Sequence, residues 1–421
     1  MKDKTSTAGE MFPVHNALNS TPSGERVHIA LFGRRNAGKS SLINAITGQD
    51  TAIVSELKGT TTDPVSKAME ILPIGPVLLI DTPGLDDDSF LGKERIRRAR
   101  SILNKTNLAL VVTDLSQVKD NFSFEKDLIN EIKTKNIPYL IVMNKCDQHP
   151  ESCSPKNFST PLHMEPDIYV SAKDNIHIHE LRELMADKII RESVKENYLI
   201  RDKLQPGDCV VLVIPIDSAA PKGRLILPQQ QVIRDILEAR ATAVICRDTE
   251  LTGTLKRLSH PPKLVITDSQ AFASVSADTP PDILLTSFSI LFSRYKGNLE
   301  TQLAGIQAIC HLHDGNHILI AEGCTHHRQC EDIGTVKIPH WLEKYTGKTF
   351  HYHTCSGGQF PDDLSPYQLV VHCGGCTLNN REMAFRIKEC VDQNTPIVNY
   401  GILIAHLNGI LDRSIEIFNK K

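Results

Sequence analysis

The chain lacks any run of eighteen apolar residues, and its first stretch, "MKDKTSTAGEMFPVHNALNS", is polar throughout. A membrane-spanning helix needs about twenty predominantly apolar residues, and a secretory leader needs an apolar central region. The sequence therefore reads as a soluble, cytoplasmic protein with no membrane role, opening on a flexible segment over 1–24. Charge imbalance is also missing: 47 Lys and Arg stand against 50 Asp and Glu, a net charge of -3. A broad nucleic-acid footprint needs an excess of basic residues, and 295–421 lacks interleaved aromatic and basic side chains. Nucleic acid is accordingly not expected as a partner. There is no short-period repeat and no low-complexity tract. The eleven cysteines are numerous, yet they lack the dense, regular spacing of a secreted disulfide framework. That leaves metal or redox chemistry for those not spent in a core. Cys209 and Cys246, in the apolar runs "GDCVVLVIP" and "TAVICRD", read as small core hydrophobes.

What is present is apolar alternation on a scale that one core cannot hold. At 421 residues and 40% hydrophobic, the chain exceeds the roughly 250 to 300 residues at which single cores stop growing. From residue 27, short apolar strands ("VHIALFG", "VLLIDTPG", "LALVVTD", "YLIVMNK", "DIYVSAK") alternate with helical stretches, which predicts a mostly parallel sheet. A charged helix and the Pro-Gly of "LIRDKLQPGDC" close this series. A second series over 198–279 includes a helix with Val232, Ile233, Ile236 and Leu237 on one face. It carries no phosphate loop and reads as a packing or oligomerisation module. "TPPDILLTSFS" resets the chain, and a third series fills 280–421. The expected class is α/β: a P-loop domain over 25–197 followed by two smaller α/β domains.

"GRRNAGKSS" at 33–41 fits the G-x-x-x-x-G-K-[ST] phosphate loop and lies between a strand and a helix, as the chemistry requires. Gly33 and Gly38 free backbone N–H groups to close on phosphate oxygens, with Asn36, Ala37 and Ser41 completing the loop. Lys39 reaches the β and γ oxygens, and Ser40 can ligate Mg²⁺. "DTPG" offers Asp81 for Mg²⁺ and the Gly84 N–H as a γ-phosphate sensor. "NKCD" offers Asn144, Lys145 and Asp147. The two acceptor oxygens of Asp147 match the N1–H and exocyclic amine of guanine, a pattern adenine does not present. Ser171, Ala172 and Lys173 complete the base pocket, and Thr60, Thr61 and Thr62 of "GTTTD" supply switch I. Five elements in this order, each after a strand, specify GTP.

Over 25–195 these motifs make the chain similar to the Era/TrmE-like GTPases. That resemblance implies Thr61 as the switch I ligand of Mg²⁺, and it places Asn36 where potassium-binding members carry an asparagine that coordinates K⁺. Leu85 stands where Ras-like proteins place a water-orienting glutamine, so intrinsic hydrolysis should be slow unless a monovalent cation supplies the missing charge stabilisation.

"EGCTHH" and "HCGGC" each follow a predicted strand, which puts Cys324, Cys373 and Cys376 at carboxyl ends that share one edge of a parallel sheet. The chemistry leaves three uses open. Zinc would take the three thiolates with His326 or His372; a dithiol would use Cys373 and Cys376 alone; three cysteines can also hold a [4Fe–4S] cluster with one exchangeable iron. The histidines His311, His313, His351 and His353 read as strand or surface residues. Cys330, Cys355 and Cys390 read as bystanders.

"CTH" followed at long range by "HCGGC", behind a potassium-type GTPase domain, resembles the HydF family of [FeFe]-hydrogenase maturation GTPases over essentially the whole chain. The resemblance implies a scaffold that binds a [4Fe–4S] cluster through Cys324, Cys373 and Cys376. It implies delivery of a di-iron precursor to apo-[FeFe]-hydrogenase alongside the other maturation proteins. It also implies a homodimer or tetramer, with dimerisation through the middle domain. His326 and His372 belong to the motif as candidate exchangeable ligands or as hydrogen-bond donors behind the ligands. Glu322, two residues before Cys324 on the same strand face, is a third candidate for the fourth iron. The reading from another class is a ribosome- or RNA-associated GTPase with a structural zinc.

Overall fold

A computed structural model describes residues 21–48, 55–57, 65–84, 99, 101–114, 122–148, 165–192, 197–216, 225–323 and 332–419. Seven strands form the first sheet: β1 (Val27–Phe32), β2 (Ser55–Leu57), β3 (Ser66–Ile71), β4 (Gly75–Asp81), β5 (Leu108–Asp114), β6 (Tyr139–Asn144) and β7 (Ile168–Tyr169). Their order is β2-β3-β4-β1-β5-β6-β7, parallel from β4 to β7 and antiparallel at the β2-β3-β4 edge. All seven residues of β5 are buried, as a parallel strand covered by helices on both faces requires. Ile29 and Leu31 face the helices Lys39–Gly48 and Ile178–Glu192, whereas Ala30 and Phe32 face the helix Ser123–Thr134.

The second sheet comprises β8 (Cys209–Val213), β9 (Thr242–Cys246), β10 (Leu264–Thr267) and β11 (Leu284–Ser287), all parallel, in the order β11-β10-β8-β9. This corrects the domain boundary expected at 280. Pro280 and Pro281 interrupt the chain, yet β11 pairs with β10 from Leu264↔Leu284 to Thr267↔Ser287. The Pro-Pro pair therefore punctuates a loop inside the unit, and the helix Phe288–Lys296 still belongs to it. Leu237 also departs from expectation. Val232 and Ile236 are fully buried, while Leu237, one further step round the helix, is 57% exposed.

The third sheet, β12 (His317–Glu322), β13 (His351–Ser356), β14 (Leu369–His372) and β15 (Ile397–Asn399), is parallel in the order β13-β12-β14-β15. The second and third sheets do not keep separate interiors. Val211, Val265 and Leu285 of one share an apolar core with Ile318, Ile320 and Val371 of the other, bridged by the helix Tyr400–Leu407. The last helix, Leu411–Asn419, returns to the second sheet. There Arg413 donates to the carbonyls of Ser276 (3.0 Å), Thr279 (2.9 Å) and Pro280 (2.7 Å).

The GTPase domain meets the rest of the chain at the amino ends of its strands. Asn379 Nδ2 donates to the Lys105 carbonyl at 2.6 Å, and Arg381 Nη1 donates to the Asn136 carbonyl at 2.8 Å. Gly24, just before β1, lies so close to the backbone of Thr377 that an added Cβ would fall 2.7 Å from its carbonyl. The loop entering from the third sheet is thus packed under β1 and β5, at the end away from the phosphate loop.

Candidate functional site

The phosphate loop is shaped by close approaches that only glycine allows. Gly33 has φ +150°, and a Cβ there would lie 2.0 Å from the Val112 carbonyl oxygen of β5. Gly38 has φ +89°, and its Cβ would lie 2.3 Å from Asn144 Nδ2. Asn36 adopts φ 63°, a conformation asparagine tolerates better than most residues. Buried Ala37 seats the loop, Lys39 is 7% exposed, and Ser41 starts the exposed side of the following helix. The Lys39 ammonium donates to the carbonyls of Gly33 (2.9 Å) and Arg34 (2.8 Å), so the charge sits in the mouth of the loop. The Ser40 hydroxyl donates to the Asp81 carboxylate, which joins two of the expected Mg²⁺ ligands. Thr82 anchors "DTPG" by donating to the Leu31 carbonyl at 2.6 Å, and Gly84 packs on the Arg35 backbone, where a Cβ would lie 2.9 Å from nitrogen.

Asn144 draws three motifs together. Its Nδ2 donates to the Ala37 carbonyl at 3.0 Å, and its Oδ1 accepts from the Ala172 N–H at 3.1 Å. Asp147 accepts from the Ser171 hydroxyl at 2.7 Å, and Ser171 accepts in turn from the Asp174 N–H at 3.1 Å. Lys145, at φ 63°, pairs with buried Asp114 at 2.7 Å, and Lys173 is exposed. The expected residues of the loop and base pocket therefore converge. One support was missed from sequence: Arg34 pairs at 2.9 Å with Glu125, a fully buried carboxylate on the helix Ser123–Thr134. Thr60, Thr61, Thr62 and Leu85 lie outside the described residues.

A second constellation is built on the third sheet. The Cys373 N–H continues the ladder to the Ala321 carbonyl (2.9 Å), and its sulfur accepts from the N–H groups of Gly323 (3.1 Å) and Gly375 (3.4 Å). Gly323 is held at this point by contact: its Cβ would lie 2.9 Å from Leu378 Cγ and 3.3 Å from Gly375 Cα. Thr377 closes the junction by donating to the Gly323 carbonyl at 2.8 Å. Gly323, the residue before Cys324 in sequence, therefore meets the "HCGGC" turn. Cys324, His326 and Cys330 lie outside the described residues.

Strand alternation separates the remaining candidates. Glu322 is buried and accepts from the Tyr400 hydroxyl at 3.5 Å. Burial and the nearby Cys373 and Glu322 keep that phenol protonated, well above its ordinary pKa. His372 faces the other way. Its Nδ1 hydrogen-bonds the Cys373 carbonyl at 2.7 Å, and its Nε2 accepts from Arg386 at 3.1 Å. Burial first, then the Arg386 charge, pull its pKa down to about 3, so the ring is neutral. With both nitrogens engaged, His372 braces the loop from behind. Cys355 and Cys390 are buried together in the core under the opposite face. Burial pushes the Cys376 thiol up, against a lowering by Lys296. Among the described residues no three His, Cys, Asp or Glu side chains form a metal-holding group.

Sheet order, phosphate loop and base-reading motifs define a P-loop GTPase carrying two further α/β domains. The sequence model of the hydrogen maturase F dimerization domain matches residues 199–297, and that of the hydrogen maturase F tetramerization domain matches 300–417. A model described as a 50S ribosome-binding GTPase matches 28–145. The two maturase models together cover more than half of the chain, which belongs to the hydrogen maturase F family of hydrogenase-maturation GTPases. The tRNA modification GTPase MnmE of Parabacteroides distasonis is 34% identical over 188 residues, 43% of this chain and 38% of that protein. MnmE of Francisella philomiragia is 38% identical over 172 residues, 39% of this chain and 36% of that protein. The chain thus spans well under half the length of these curated relatives. Among solved structures, the G domain of the T. maritima FeoB iron transporter is similar with 25% identity and a TM-score of 0.30, covering 40% of this chain and 98% of that one. Aquifex aeolicus Era bound to GDP and AlF4- has 20% identity and a TM-score of 0.31, covering 52% and 92%. No described helix is long and apolar enough to cross a membrane.

The base pocket makes a direct prediction. Asp147→Asn replaces one acceptor oxygen with a donor, which mismatches the exocyclic amine of guanine and suits the oxo group of xanthine. Calorimetric titration should show GDP affinity falling at least tenfold, about 1.4 kcal/mol, while xanthosine diphosphate gains. Unchanged GDP affinity would remove Asp147 from the base contact.

Proposed function

We propose that the chain is a cytoplasmic GTP-hydrolysing scaffold that binds a [4Fe–4S] cluster and delivers a di-iron precursor to apo-[FeFe]-hydrogenase, working with the other hydrogenase maturation proteins. The observation that carries this reading is the junction of Gly323 with Cys373 and Gly375 within a hydrogen maturase F chain. The donor set fits a cluster. Two backbone N–H groups point at the Cys373 sulfur, and such bonds stabilise thiolate and tune iron–sulfur centres. Cys324, Cys373 and Cys376 would hold it, and a cluster so bound supplies an exchangeable iron on which cargo can be carried. That Glu322 faces the same side of the sheet as Cys373 supports it as fourth ligand; His326 and His372 stay candidates, the latter bonded to the Cys373 carbonyl.

In the GTPase domain Ser40, Asp81 and Thr61 would hold Mg²⁺, which would supply charge neutralisation to the phosphates. Lys39, with the loop N–H groups, neutralises and orients the phosphates, while Asp147 and Asn144 select and seat guanine. Asn36 would coordinate K⁺. The domain boundaries proposed are 25–197 for nucleotide, about 198–297 for dimerisation and the remainder for the cluster, with homodimers and tetramers assembled through the last two. Exposed Leu237 and Ile245 lie in the dimerisation unit, on a helix and on the edge strand β9. The tRNA-modifying relatives match less than half of this chain, so their substrate lends no support to a second reading.

Anaerobically reconstituted protein should activate apo-hydrogenase after loading by the other maturation proteins. Cys373→Ala and Cys376→Ala should abolish activation and lose the broad visible absorption, because two thiolates leave too few anchors. Full iron content in either variant would remove that residue from the ligand set. Lys39→Ala should suppress GTP hydrolysis and keep the cluster spectrum.

The monovalent cation gives a separate prediction. With no glutamine after "DTPG", K⁺ held by Asn36 would supply charge stabilisation of the kind an arginine finger gives, a term worth roughly 10³ to 10⁵ in finger-assisted GTPases. Hydrolysis should rise when Na⁺ is exchanged for K⁺ at constant ionic strength, and Asn36→Ala should erase the difference while GTP binding persists. Equal rates in both salts would reject the cation mechanism.

A further inference from the structure

A buried lysine lies under the cysteine loop. Lys296 ends the helix Phe288–Lys296 of the second unit and is only 4% exposed. An ammonium has three N–H donors and no acceptor. Lys296 Nζ donates to three carbonyls of one loop: Leu378 at 2.7 Å, Cys376 at 3.0 Å and Gly375 at 3.3 Å. All three donors are matched, and all three acceptors come from the turn that carries Cys376. Those carbonyls point down onto the ammonium while the Gly375 N–H points at the Cys373 sulfur. Gly375, at φ +61°, gives its N–H to the sulfur and its C=O to the ammonium, so the conformation of this one residue sets both contacts.

The same charge is felt beyond its own hydrogen bonds. Lys296 interacts electrostatically with Cys376, Cys373 and Glu25. Glu25 precedes β1 of the GTPase domain, is partly buried and is hydrogen-bonded by Gln231 of the second unit. The ammonium of the second unit thus holds the turn of the third, within electrostatic reach of a carboxylate of the GTPase domain. Burial of a cation is costly: the loop carbonyls match the N–H donors, yet burial still pulls the ammonium pKa down to about 8, against raising by Cys376, Glu25 and Cys373.

We propose that Lys296 is a positioning residue for the cluster: it fixes the course of Gly375–Leu378 and places one positive charge beside the Cys373 and Cys376 sulfurs, with Glu25 as its moderating partner. The inference rests on the cluster reading above and deepens it. A cation beside an iron–sulfur centre favours the reduced form, which carries one more negative charge. Lys296 also puts the dimerisation unit in control of the loop.

Redox titration of anaerobically reconstituted full-length protein tests the charge, and amide exchange of cluster-free protein tests the positioning. Lys296→Met keeps the apolar stem and removes the charge. Its cluster should be harder to reduce: at the wild-type midpoint the ratio of reduced to oxidised protein should fall about tenfold, equivalent to about 59 mV for a one-electron couple. Lys296→Arg should restore most of the shift, and Glu25→Gln should move the midpoint the opposite way. In cluster-free Lys296→Met, amides 375–378 should exchange faster than in wild type. A wild-type midpoint together with wild-type exchange in Lys296→Met would overturn the proposal. Should that variant fail to fold, an unmoved midpoint in Glu25→Gln would overturn the charge role. Failure of wild-type protein to take up iron would defeat the cluster reading instead, and slower or unchanged exchange in Lys296→Met would still decide against Lys296 as the loop's support.

Discussion

The loop Cys373–Asn379 has to satisfy its backbone in two directions at once. The Gly375 N–H turns toward the Cys373 sulfur, and the carbonyls of Gly375, Cys376 and Leu378 turn to a buried interior. Unpaired carbonyls there would each cost roughly 1 to 3 kcal/mol. Lys296 removes that cost at Cys376 and Leu378, and gives a second donor to the Gly375 carbonyl, which also accepts from the Leu378 N–H at 3.0 Å. Gly323 lets the end of β12 close on the loop, and Asn379 then ties it to the GTPase domain through the Lys105 carbonyl. Each of the three domains therefore supplies a contact to one short turn.

The geometry also relates the two sites. In the first sheet the phosphate loop leaves the carboxyl end of β1, while Glu25 and Gly24 sit before its amino end, against Thr377. Six strand residues span about 20 Å. The nucleotide and the cysteine loop consequently lie at opposite ends of one central, fully packed strand, flanked by β4 and β5. A parallel strand buried on both faces has little freedom to bend, which makes β1 a stiff link between the site that reads GTP and the turn that carries Cys376.

The nucleotide site was legible because its information is local. Each motif is contiguous, follows a strand, and uses residue types whose chemistry is narrow: Gly33 and Gly38 for backbone approach, Asp147 for guanine. The meeting of Gly323 with the "HCGGC" turn was also readable, since parallel strands put their carboxyl ends on one edge. Contacts remote in sequence were not. Nothing in "FSRYKG" marks Lys296 as the partner of carbonyls about eighty residues on, and Arg34 gives no sign of Glu125. Strand parity held an unused clue: Cys373 and His372 are adjacent, so they had to face opposite sides. The Pro280–Pro281 pair misled for the opposite reason, because proline marks a turn without saying whether the sheet continues beyond it.

The central claim is that the third sheet's carboxyl edge is an iron–sulfur site and neither a zinc site nor a dithiol. Metal and sulfide analysis of the protein purified without air, joined to electron paramagnetic resonance after dithionite reduction, tests it most directly. The account predicts iron and acid-labile sulfide in equal amounts and a reduced-cluster signal that disappears in Cys373→Ala. Stoichiometric zinc with no sulfide, or a metal-free protein with two titratable thiols at Cys373 and Cys376, would contradict it.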